Sequence, residues 1–288
     1  MASSPLLSST PVHLSRPLRT MVANLYSESL LHEVTVSRIT YLSDNLKING
    51  YLAHPNAEGP YPVLIWNRGG YGDTGALNDL IATLILGSTA QWGSAVLGTQ
   101  YRGNAGSEGT ESWGDLDVHD ALNLVPVAET LPFCDMTRVA IEGASRGGMT
   151  TYRALTMDNR FKCAITHAGL ADLFALAEYR GYLHDWITYA TAHMSPAERE
   201  RELGRRSAVY FAEHFPDNVP LLLLHGTADT RVPLQQSEAL AAELARYGKP
   251  HMLVKINGGG HVALRDGSYK DVDRHRKAWL DEHLYGRK

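Results

Sequence analysis

Two cysteines, Cys134 and Cys163, are all that 288 residues contain, so the chain offers no disulfide framework and no cysteine-built zinc site. No run of 18 or more apolar residues occurs, which leaves no candidate membrane span. Charge of one sign is lacking too. With 27 Lys and Arg against 31 Asp and Glu, the formal charge of −4 gives no reason to expect nucleic acid or an anionic membrane as a partner. Acids are missing altogether before Glu28, where Arg16, Arg19, several serines and prolines 5, 11 and 17 stand without the apolar core of a signal peptide. Residues 1–30 are expected to be a disordered or loosely attached leader on a cytoplasmic protein. Organelle import through residues 1–27, or a true start at Met21, is the alternative.

What is present is ordinary for a folded domain: 44% hydrophobic and 20% charged residues, in a chain long enough to bury a core without metals or disulfides. Residues 33–41 and 46–53 are rich in β-branched and aromatic side chains around the turn Ser43-Asp44-Asn45, and predict a hairpin. Continuous apolar runs then recur at Val63–Trp66, Ala95–Leu97, Val139–Ile141, Lys162–Thr166, Pro220–His225 and Met252–Ile256. Helical patterns lie between them at about 77–92, 115–128, 150–155, 233–247 and 271–284. Strands alternating with helices predict an α/β fold with a mostly parallel central sheet covered on both faces. With no repeat or linker, residues 31–288 are expected to form one domain. A helical insertion at about 170–214 breaks the alternation, and its charge run Glu198–Glu202 suits a solvated helix face.

The chemistry concentrates at Gly143-Ala144-Ser145-Arg146-Gly147, set between the strand ending at Ile141 and the helical run from Thr150. Gly-x-Ser-x-Gly in that context is a nucleophile elbow, a tight strand-to-helix turn that exposes the serine hydroxyl. Amides at the start of the helix, those of Ser145 and Arg146, can stabilise a developing oxyanion. A serine needs a general base, and the base needs an orienting acid. Downstream strands end in His225-Gly226-Thr227-Ala228-Asp229 and in Gly258-Gly259-Gly260-His261, which nominates Asp229 as acid and His261 as base. Asp217 is the rival acid, and His225 at its strand end is expected to be packed rather than catalytic. Because the neutral imidazole does the work, activity should fall as pH drops below roughly 6.5–7. A second oxyanion donor is expected after the strand ending at Trp66, from the amide of Gly70 or the hydroxyl of Tyr71.

These stretches resemble the catalytic domain of the prolyl oligopeptidase family of serine peptidases. The likeness rests on Arg68-Gly69-Gly70, Tyr101-Arg102-Gly103-Asn104-Ala105-Gly106, Gly143–Gly148, His225–Pro233 and Gly260-His261, and covers roughly residues 33–285. It implies an α/β-hydrolase fold, a Ser145–Asp229–His261 triad, and short peptides or acylated amino acids as substrates. Two departures stand out. Members usually carry an N-terminal β-propeller, for which this length leaves no room, and Arg68 replaces a histidine. Carboxylester hydrolysis is therefore kept as the alternative activity, and a non-catalytic binding protein as a more distant one.

Other patterns carry less. Gly70-Tyr71-Gly72-Asp73-Thr74-Gly75 fits a dinucleotide loop, but the next strand ends Gly98-Thr99-Gln100 without the acidic residue such a site needs. Asp115, Asp117, His119 and Asp120 fall on one helix start and are read as solvated acids rather than metal ligands, so no cofactor is expected. Arg68, Arg102, Arg146 and Arg231 all follow strands at one sheet edge, which predicts an electropositive rim favouring a carboxylate-bearing acyl group. Arg68, Arg102, Arg231 and Trp186 are the expected substrate contacts, and a homo-oligomer is left open.

Overall fold

The computed structural model describes residues 5–179, 181–261 and 267–287. They fall into two compact units, which divide between Glu142 and Gly143. In the first, strands β1 (Leu6–Pro11), β2 (Val34–Ser43), β3 (Leu46–Pro55), β4 (Tyr61–Asn67) and β5 (Ala95–Thr99) lie in the order β1-β2-β3-β5-β4. β1, β2, β3 and β5 pair antiparallel, whereas β4 and β5 run parallel. The β2–β3 connection is the anticipated tight turn. Asp44 and Asn45 adopt φ of 49° and 67°, the left-handed pair that matches the twist of a two-residue hairpin. Val63 to Asn67 are all buried, as a strand covered on both faces requires.

β6 (Cys134–Ala144) carries the chain from one unit into the other. The second unit holds β7 (Phe161–His167), β8 (Leu221–Gly226) and β9 (His251–Ile256), adjacent in that order and parallel throughout. Helices Arg146–Leu155, Gln235–Arg246 and Tyr269–Leu280 alternate with them, as the sequence predicts. The expected insertion consists of helices Leu173–Glu178, Tyr182–Thr191 and Pro196–Gly204. Ser195 opens the last with a capping box to Glu198, and Glu202 in its final turn pairs with Arg205 and Arg206, so its charges serve its own helix. Among the described residues no helix is long and apolar enough to cross a membrane.

Three expectations need correction. Residues 5–30 do not hang loose. β1 lengthens the sheet beside β2, the helix Arg16–Leu25 buries Val22 completely, and Leu30 is buried as well; residues 1–4 of the leader lie outside the described residues. The helical run at 77–92 is not continuous α-helix: Asp79–Ala82 widens into a π-helical turn, Thr83–Gly87, before Ser88–Ala90. Asp117 and Asp120 are not solvated either. Both are fully buried, with Asp117 accepting the amides of Gly114 and Asp115 while Asp120 pairs with Arg102.

Candidate active site

Ser145 sits between β6 and the helix Arg146–Leu155 at φ 57°, ψ −119°, a conformation that L-residues rarely adopt and that marks backbone held under strain. The turn is tight enough to demand glycine before it. A Cβ on Gly143 would fall 2.1 Å from the Gly147 carbonyl oxygen. Ser145 itself is half-buried. Its amide donates to the His167 carbonyl at 2.8 Å, so of the two amides expected to serve an oxyanion that of Ser145 is committed elsewhere. Arg146 is the first residue of the helix, a position whose amide finds no acceptor within the helix itself.

Backbone bonds continue the ladder past the strand ends and hold the segments after β6, β7, β8 and β9 at one edge of the second unit. Ser145 N–H reaches His167 O at the end of β7, Ala168 N–H reaches Leu224 O in β8, and Ala228 N–H reaches Gly259 O beyond β9. Ser145, Asp229 and His261 thus follow the carboxyl ends of β6, β8 and β9, with β7 between the first two, at the edge where parallel sheets gather their functional groups. Asp229 is held from both sides. One carboxylate oxygen accepts the amides of Arg231 (2.8 Å) and Val232 (2.9 Å), and the other lies 2.7 Å from His261 Nδ1. Its side chain is fully buried, while that of His261 keeps 13% exposure. Burial alone would raise the Asp229 carboxyl. The His261 hydrogen bond and charge, with the two amides, outweigh burial and hold the carboxyl below the usual carboxylate range. An ionised Asp229 can only accept, so in the neutral form of the His261 imidazole the single hydrogen sits on Nδ1 and Nε2 is left as the acceptor. Among the described residues, no hydrogen bond joins the Ser145 hydroxyl to His261 in this conformation. Such contacts are commonly long in a resting site and tighten with substrate.

The rim of arginines is not what the strand-end positions imply. Arg68 is buried, and its five N–H groups are absorbed by main-chain oxygens: Gln100 twice, Gly69, Gly72 and Thr74. Arg102 is buried against Asp120 and Asp44, each at 2.8 Å; these bonds raise its pKa although burial works against them. Arg146 is buried as well, which leaves Arg231 as the exposed member of the four. A guanidinium spent on its own backbone cannot grip a substrate carboxylate. Arg68 and Arg102 are therefore structural, and the electropositive rim is withdrawn. Gly70 and Tyr71 lie in the first unit, in a loop tied down by Arg68, by the Asp73 carboxylate on the Ala105 amide, and by the Glu111 carboxylate on the Gly72 amide. Trp186 lies half-buried on the helix Tyr182–Thr191. Sequence reasoning placed His225 as a packed side chain, and it is buried; its contacts to Ser237 and Val232, 12 and 7 residues downstream, left no local signal.

A strained serine after β6, a buried carboxylate after β8 and an imidazole after β9 define an α/β-hydrolase arrangement. Comparison with known proteins agrees. Residues 85–287 match the prolyl oligopeptidase family, and the chain belongs to that family of hydrolases. It is similar to the uncharacterised peptidase YtmA of Bacillus subtilis, with 29% identity across 75% of this chain and 82% of that protein. The uncharacterised peptidase YuxL of the same organism is 28% identical over 90% of this chain but only 41% of its own length. Among solved structures, a puromycin-hydrolysing peptidase of Mycobacterium tuberculosis superposes with a TM-score of 0.73 at 25% identity, over 87% of this chain and 40% of that one. The chain therefore spans less than half of YuxL and of the solved peptidase.

Proposed function

We propose that this chain is a serine hydrolase working through an acyl-enzyme, with Ser145 as nucleophile, His261 as general base and acid, and Asp229 as the orienting carboxylate. The observation that carries the reading is the 2.7 Å bond between His261 Nδ1 and an Asp229 whose other oxygen is clamped by two amides, together with a serine on a strained elbow at the same edge of the sheet. Nε2 of His261 takes the Ser145 proton as the hydroxyl attacks the carbonyl, then returns it to the leaving group. Water repeats the cycle on the acyl-enzyme. The Arg146 amide at the helix start supports the oxyanion. Substrates are short peptides or acylated amino acids, the class that membership of a peptidase family favours, with carboxylic esters as the competing class.

Labelling with a fluorophosphonate probe tests the assignment. Wild type should label, Ser145→Ala and His261→Ala should not, and turnover should fall by about 10⁴–10⁶-fold in either variant. Retained turnover in folded Ser145→Ala ends the proposal. Matched p-nitroanilide and p-nitrophenyl substrates, run side by side, separate the peptidase from the esterase reading.

A further inference from the structure

His225 is the next-to-last residue of β8, four residues before Asp229, and its side chain is completely enclosed. Both ring nitrogens are occupied. Nε2 lies 2.9 Å from the Val232 carbonyl oxygen and Nδ1 lies 2.7 Å from the Ser237 hydroxyl. A carbonyl oxygen can only accept, so Nε2 must carry the hydrogen, and Nδ1 then accepts the Ser237 hydrogen. This fixes the tautomer without any appeal to solvent. Val232 is the residue whose amide holds one oxygen of Asp229, so the imidazole of His225 grips the carbonyl of the same residue whose N–H grips the carboxylate. Nε2 also stands 3.6 Å from the second Asp229 oxygen, too far for a hydrogen bond but close enough to turn the positive end of its N–H dipole toward that charge.

We infer that His225 is a positioning residue for the acid of the catalytic set: protonated on Nε2 only, it pins the 229–232 turn and keeps the free oxygen of Asp229 aimed at His261. Ser237, on the helix Gln235–Arg246, sets the tautomer from behind. The charged and titratable groups facing this imidazole are Asp229 and His261 from the strand-end loops and Glu238 from the helix. Burial opposes a second proton on His225, pushing its pKa below the ordinary value, so the ring stays a one-proton donor. The inference rests on the triad proposed above, and its test is chosen to fail separately.

The variants are His225→Phe, which keeps a flat aromatic ring of somewhat larger size and removes both nitrogens, and His225→Gln, whose side-chain amide can restore the donor to the Val232 carbonyl. Each is assayed by steady-state kinetics on the best of the p-nitroanilide and p-nitrophenyl substrates, with near-UV circular dichroism to confirm packing. His225→Phe should lower kcat by about 10²-fold, the effect of a misplacement near 1 Å, with KM within about twofold. His225→Gln should recover most of that loss. A folded His225→Phe with kcat near wild type overturns the inference, as does a His225→Gln no better than Phe, which would mean that packing alone matters. Should Phe fail to fold, His225→Gln decides alone: kcat below about a tenth of wild type refutes the donor role. Failure of the triad itself looks different, because His261→Ala would then retain activity whatever happens at residue 225.

Discussion

Ser145 carries a side chain at φ 57°, ψ −119°, and the strain there can be measured by removing its cause. A non-glycine residue in so sparsely populated a region costs about 1–3 kcal/mol. Ser145→Ala keeps the Cβ and therefore the strain, whereas Ser145→Gly removes it. Glycine also loosens the unfolded chain, which takes back about 0.4–1 kcal/mol. The Gly variant should thus be more stable than the Ala variant by roughly 0.5–2 kcal/mol. Hydroxyl loss is common to both and cancels in the comparison. For a chain of this size that difference corresponds to a rise in Tm of roughly 1–3 °C. Thermal melts of the two variants at one pH and ionic strength give the answer, with urea titrations to check that the slope is unchanged. Both variants should be inactive, so function confers no difference between them. If Ser145→Gly melts at or below Ser145→Ala, the elbow stores no strain and the conformational argument for the nucleophile loses its support.

Other outcomes follow from equally local geometry. Arg102→Met would strand the Asp120 carboxylate in a fully buried site with the Ser43 hydroxyl and one amide as remaining donors; urea titration should show about 3–5 kcal/mol lost, and a loss under about 1 kcal/mol would refute the assignment of this pair as a structural ion pair. A Cβ on Gly226 would fall 2.1 Å from the Gly259 carbonyl oxygen, just ahead of His261, so Gly226→Ala should shift that loop and lower kcat by about 10²-fold, read by steady-state kinetics. Stability should fall with acid because the fold holds the His225 pKa below its unfolded value of about 6.5: as pH drops through 6.5 the unfolded chain binds a proton that the folded chain refuses. That loss should begin near pH 6.5 and continue down toward the folded value, and His225→Gln should flatten the pH dependence of Tm across that window relative to wild type.

Much of this architecture is legible in the residue order because its causes are local. Asp44-Asn45 can occupy the left-handed region, so a hairpin follows from two residues, and Gly143 precedes a serine where no Cβ fits. Leu221 to Leu224 are buried without exception, as an uninterrupted apolar run announces. β1 escapes the same reasoning. After Leu6 its residues are all exposed, and the strand is held by backbone pairing to β2, which leaves no hydrophobic alternation to find. The arginines mislead for a related reason. Their positions at strand ends are visible, but Asp44 lies 58 residues from Arg102, and the oxygens that saturate Arg68 belong to the main chain, which has no letter of its own. Whether a guanidinium faces a ligand or its own loop depends on partners that only the folded chain brings near.

The two oxygens of Asp229 are not equivalent, and that asymmetry limits what can replace it. One is reserved by a pair of amides, so an asparagine at this position would have to offer its carbonyl there and turn its NH₂ toward His261. The ring would answer by moving its hydrogen to the far nitrogen, which in the proposed mechanism must accept the Ser145 proton and would offer a donor instead. Size, shape and packing would all be preserved, and the enzyme would be silenced by the direction of a single hydrogen bond.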